Sequence, residues 1–317
     1  MKKSVRNILL ATISLTFLIT ILSAVFATAS MINNFDHAIG HFDADSVVAK
    51  LAMYLPLAAP VVAAVCGILI RKEFSLRTPY TSDAISIFVH FLLGLLMISA
   101  GVLALMDLIP QMTDPYIITT VSKTAVGAAI TAVISGICFI VTPILKDRPW
   151  VPLLSIVPAI WAALSLIEEY FREGGPINSP IRTINLAMFA FLLLFFTEEI
   201  RFAINRQLTG AYYFCLLSAI AFTGAATFPK LIIIITGNNS VFEFDLITWC
   251  VGAAAFIFLL AKLAALPAAY KPFEPIIKPT KAAAPKTAAY IPDPEEVSDA
   301  EAEEVSVAET EKDSDAE

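Results

Sequence analysis

The chain is poor in charge. Lys, Arg, Asp and Glu make up 15% of its 317 residues against 58% hydrophobic ones, where a soluble domain is about a quarter charged. Four cysteines, Cys66, Cys138, Cys215 and Cys250, stand apart in apolar surroundings with no C-x-x-C pair. That excludes a disulfide framework and a cysteine zinc site, which group cysteines in polar loops, and leaves small buried apolar residues. H-E-x-x-H, G-x-S-x-G, a P-loop and G-x-G-x-x-G are all missing. No pair of aspartates lies deep in neighbouring apolar runs, and no long polar segment offers room for a soluble catalytic domain. The expectation is a protein that is not an enzyme, uses no cofactor and binds no nucleic acid.

What is present is grease in measured lengths. Eight mostly apolar stretches follow one another, at about 7–30, 51–70, 84–109, 119–145, 151–169, 183–200, 211–236 and 245–269. A bilayer crossing takes roughly 20 apolar residues, and only helices satisfy their own backbone in lipid. The fold class expected is therefore all-α, a polytopic transmembrane bundle spanning 1–270 with the lipid bilayer as its first partner. The first stretch has a second reading. Lys2, Lys3 and Arg6 precede an apolar run ending in Ala27-Thr28-Ala29, the pattern of a cleaved signal peptide, which would leave seven spans. Against it, Thr12, Thr16, Thr20, Ser23 and Ala27 form a small-residue stripe at helical spacing, suited to packing on another helix.

Basic residues set the orientation. A cytoplasmic N-terminus puts Lys2, Lys3, Arg6, Arg71, Lys72, Arg77, Lys146, Arg148, Arg201 and Arg206 inside. It leaves Lys50, Lys123, Arg172 and Arg182 outside, with Lys230 at a span end. Both termini then face the cytoplasm, and Trp150 and Trp249 fall at the two interfaces. The short loops and lysine-led start resemble bacterial plasma-membrane proteins in a general way.

Residues 271–317 read differently. Asp293–Glu317 carries 12 acidic residues and one Lys, so the segment is −11 and the first 292 residues are +4. A Pro/Ala/Lys-rich and then acidic stretch buries too little apolar surface to offset its ordering entropy and is expected to be disordered. Lysines from Lys262 to Lys286 are placed to rest on an anionic leaflet. The acidic end is either a solvated tail or a tether for a cytoplasmic protein partner.

Polar residues inside spans are the candidate sites, because they are costly in lipid. Lys230 follows Pro229 and precedes five aliphatic residues; it must either snorkel or find a carboxylate. Glu168, Glu169 and Asp107 are expected at the same outer level, so Lys230, Glu168 and Asp107 are the binding candidates. Glu168 can instead pair with Arg172 four residues on. His90 shares a line with Ser86, Gly94, Met97 and Gly101, which suits a packing face better than a proton relay. Thr124, Ala128, Thr131, Ser135, Cys138 and Thr142 line one side of the fourth span, as a helix seam or a wet wall. Glu198, Glu199 and Arg201 read as interfacial charges paired locally. In the 31–50 loop, Asp36, His37, His41, Asp43 and Asp45 match no specific metal spacing and bind one only if that loop is helical. Two functions remain: a non-catalytic scaffold, sensor or subunit, or a small-molecule permease.

Overall fold

The computed structural model describes residues 3–36, 41–43, 45–70, 74–76, 84–112, 120–145, 148, 150–171, 179–204, 208–238 and 245–272. Its helices are α1 (Lys3–Asn33), α2 (Val47–Ile70), α3 (Ala84–Met112), α4 (Thr120–Ile144), α5 (Ile156–Phe171), α6 (Pro180–Ala203), α7 (Thr209–Ile235) and α8 (Leu246–Ala269). All eight are long and apolar enough to cross a membrane. The fifth apolar stretch opens as a 3-10 turn over Val151–Ser155 before becoming α5. Pro152 and Pro158 lack the N–H donors of a regular helix, and Pro158 falls in the first turn of α5, directly after the 3-10 turn.

Helices α3 to α8 pack in chain order, and α8 returns to α3, closing a ring of six; α1 and α2 pack on each other and on α7. The apolar segment of α7 is therefore the innermost, 72% buried against 50% or less in the other seven. Small residues set the closest approaches. A methyl group on Gly94 would stand 2.7 Å from the Gly136 carbonyl oxygen, and one on Gly136 would stand 2.5 Å from that of Gly94. Gly101 meets the Ala129 carbonyl and Gly67 that of Gly210 in the same way, both at 2.7 Å. The stripe on α1 is packed as its spacing suggests, with Thr12, Thr16, Thr20, Ser23 and Ala27 all buried.

Two short sheets lie at helix ends. β1 (Phe35–Asp36) pairs antiparallel with β2 (His41–Phe42), placing Asp36 opposite His41. The helical geometry that a metal site in this loop needed is thus absent from these residues, and His37 lies outside the described ones. β3 (Phe74–Leu76) pairs antiparallel with β4 (Tyr270–Pro272). Lys271 and Pro272, read from the sequence as the start of a disordered tail, belong instead to a strand, because the α2–α3 connection offers them a backbone edge. Residues 273–317, Arg77 and Arg172 lie outside the described residues.

Asp245 caps α8. Its Oδ1 accepts the Ile247 N–H at 3.2 Å, and its Oδ2 accepts the Thr248 N–H at 3.0 Å and hydroxyl at 2.6 Å. Partial burial pushes the carboxyl up, but these hydrogen bonds outweigh it and hold the group below its ordinary value. The stabilisation is complete above the unfolded value of 3.8 and is lost as pH falls below it. Asp245→Ala is expected to lower stability by about 1 kcal/mol at neutral pH. In acid, thermal unfolding of variant and parent should converge.

Candidate functional site

Two polar clusters occupy opposite ends of α7. Tyr212 and Lys230 mark them, about 27 Å apart along the helix at 1.5 Å per residue, close to the thickness of a hydrocarbon core.

The first cluster joins the end of α5, the start of α6, the end of α7 and the start of α8. Lys230 is buried to 1% exposure. Its ammonium donates to Asn185 Oδ1 and lies 3.7 Å from the centre of the Trp249 ring. Asn185 Nδ2 donates to Glu169 Oε1 at 2.8 Å, so ammonium, amide and carboxylate form one chain. Arg182 closes the cluster from behind. Its Nε donates to the Glu169 carbonyl at 2.8 Å and a terminal nitrogen to that of Tyr170 at 2.6 Å. These are among the last carbonyls of α5, which have no helical donor, and a cation there also meets the negative end of the helix dipole.

The sequence candidates fare unevenly. Lys230 enters a buried hydrogen-bonded cluster instead of snorkelling. Glu168 is half-buried, and it is its neighbour Glu169 that turns inward to Asn185. Asp107 is exposed on α3, a helix that packs against α4 and α8. Trp249 is buried under the Lys230 ammonium and is not an interface belt residue. Asn185 was missed. The signal was its amide inside an apolar run, which lipid tolerates only with a partner.

The second cluster joins the ends of α6 and α8 to the start of α7. Glu199 Oε2 pairs with Lys262 at 2.9 Å, and its Oε1 accepts the Tyr212 hydroxyl at 2.6 Å; all three residues are buried. Glu198 pairs with Arg201 at 2.6 Å on the same helix. The expectation of local pairing thus describes Glu198 but not Glu199, whose partners stand on other helices. Lys262 is likewise no leaflet lysine: the bundle encloses it.

Between the ends, the ring is filled with aromatic side chains. Phe139 of α4 lies 6.0 Å from Phe196 of α6 and 5.2 Å from Phe258 of α8. α4 adjoins neither α6 nor α8 in the ring, so these side chains meet across its middle. His90 of α3 joins them 5.0 Å from Phe258, edge to face. The His90 Nδ1 donates to the Ser86 carbonyl at 2.7 Å, which fits a packed, helix-satisfied histidine. Phe258 also lies 5.4 Å from the Lys262 ammonium, so the aromatic plug abuts the second cluster.

Buried hydroxyls accompany α7. Ser218, Thr223 and Thr227 of α7, with Thr16 and Ser23 of α1 and Ser135 of α4, have oxygens with no hydrogen-bond partner. On the α4 face read as seam or wall, Ala128, Ser135 and Thr142 are buried. Thr131 and Thr142 bond back to the Gly127 and Cys138 carbonyls, each at 2.8 Å, as residues of a packed seam do. None of the four cysteines forms a disulfide, and Cys66 and Cys215 are buried. Among the described residues no group of three His, Cys, Asp or Glu side chains is placed to hold a metal ion. The arrangement is an integral membrane bundle with buried charged side chains toward both ends of α7 and aromatic side chains between them. No protein-family model, no curated protein and no solved structure matches this chain.

Proposed function

We propose that this chain is a small-molecule permease of a bacterial plasma membrane, closed in this conformation, with both termini in the cytoplasm. The observation that carries the reading is the six-helix ring whose middle is occupied by Phe139, Phe196 and Phe258, with a charge cluster at each end. Charge buried in lipid is expensive and serves transport pathways more often than packing. Aromatic side chains obstruct such a path without fixed charge and move aside by rotamer changes. The side assignment rests on Lys and Arg in the connections; it makes the Lys262–Glu199 end cytoplasmic and the Lys230 end external.

The test is swelling of proteoliposomes in glycerol, alanine and methylammonium salts. At least one solute should enter faster than into empty vesicles, and Phe258→Ala should speed that entry. Rates equal to those of empty vesicles for both proteins would remove the reading.

A second reading is a non-catalytic membrane component whose acidic tail meets a cytoplasmic protein. It is favoured by β4, which ties the chain just before that tail to the α2–α3 connection. Deleting 273–317 should then abolish capture of a basic cytoplasmic protein and leave solute entry unchanged. Neither reading calls for catalysis.

A further inference from the structure

Beside Arg182, three residues of the external cluster have the makings of a cation site. Glu169 supplies a buried carboxylate, Asn185 an amide oxygen and Trp249 the face of an indole. Oxygen acceptors beside an aromatic face are how proteins hold free ammonium ligands, because the ring's negative face and the oxygens together replace the lost hydration. Here the ammonium comes from the chain itself. Lys230 reaches the site on four methylenes from a helix position directly after Pro229. A long unbranched side chain has other rotamers, so its head group is held by the site and not by its backbone.

We propose that Glu169, Asn185 and Trp249 form a binding site for small primary ammonium compounds, which Lys230 fills from within in the closed conformation. A tethered occupant competes with any free one, so the native chain takes an external ammonium only when Lys230 withdraws. The proposal deepens the permease reading by naming its substrate class. Its test reads binding and not flux: a chain that binds methylammonium but does not carry it would uphold this site and remove the permease reading.

The experiment uses the full chain in lipid nanodiscs, with methylammonium chloride as probe and sodium chloride as control. Lys230→Met keeps most of the stem volume and removes the head group. The variant should bind methylammonium at least about tenfold more tightly than the native chain, seen as a rise in melting temperature with methylammonium. Adding Trp249→Leu should abolish that rise. If Lys230→Met yields little folded protein, methylammonium in the purification should raise the folded yield where sodium does not. A response no different from that of the native chain, or one matched by sodium, overturns the proposal.

Discussion

Replacing Lys262 with Met should destabilise the bundle by about 3 kcal/mol, the low end of what is lost when one partner of a buried ion pair is removed. The pair is enclosed on both sides, with 4% and 2% of the two side chains exposed. Truncation removes the ammonium from Glu199 Oε2 and leaves the carboxylate the Tyr212 hydroxyl as a cross-helix donor. A carboxylate stripped of its cation in low dielectric bears its full desolvation cost. The pair itself contributes much less than this loss, since forming it required dehydrating both ions. The double variant Lys262→Met with Glu199→Gln should accordingly recover more than half of the deficit, as Gln keeps an acceptor for Tyr212 without the charge. Equilibrium unfolding in mixed micelles, run as a double-mutant cycle, measures this coupling. Additive losses would show that the two side chains do not depend on one another.

The second large effect is expected at the α3–α4 seam. A methyl at Gly136 would stand 2.5 Å from the Gly94 carbonyl oxygen, 2.6 Å from Ile98 Cγ1 and 3.0 Å from the Ile98 amide nitrogen. Two of these three atoms are backbone, so no rotamer change relieves them and the helices must separate. Gly136→Ala should cost about 2 kcal/mol, even though Ala favours a helix over Gly by nearly 1 kcal/mol. Gly136→Leu should prevent the α3–α4 pairing outright. Gly127 on the same helix is the control. Its added methyl would meet only the Leu164 side chain, at 3.3 Å, so Gly127→Ala should be neutral or stabilising. If both alanines behave alike, the seam is not where α3 and α4 touch.

The number of spans and their approximate limits were legible because hydropathy and length are local properties, and lipid allows few alternatives. The α1 stripe and the line of His90, Gly94 and Gly101 were legible for a related reason: helical spacing puts such residues on one face. Which faces then meet is a non-local matter. Lys230 stood out beside Pro229, but its partner Asn185 is 45 positions away, and no local pattern links them. That Glu169, next to Glu168, bonds Asn185 is a matter of helical phase. One residue turns a side chain by about 100°, and the burial of α5 is decided by α6, which sequence spacing does not reveal. Lys262 was misjudged because other lysines follow it, although its apolar neighbours on both sides already marked it as enclosed. The aromatic plug was invisible for the same reason as the ring: phenylalanines on α4, α6 and α8 look like ordinary lipid-facing residues until the helices are arranged.

The alternation of eight spans underlies both end clusters, and site-directed thiol labelling tests it most directly. With Cys66, Cys138, Cys215 and Cys250 replaced, single cysteines are introduced by Asp36→Cys, Asp245→Cys, Arg148→Cys and Ile204→Cys, all at exposed positions outside the ring. In intact cells an impermeant maleimide should react at 36 and 245, and at 148 and 204 only after the membrane is opened. Labelling of 245 and 148 from the same side would contradict the eight-span arrangement and, with it, the placement of Lys230 and Lys262 at opposite faces.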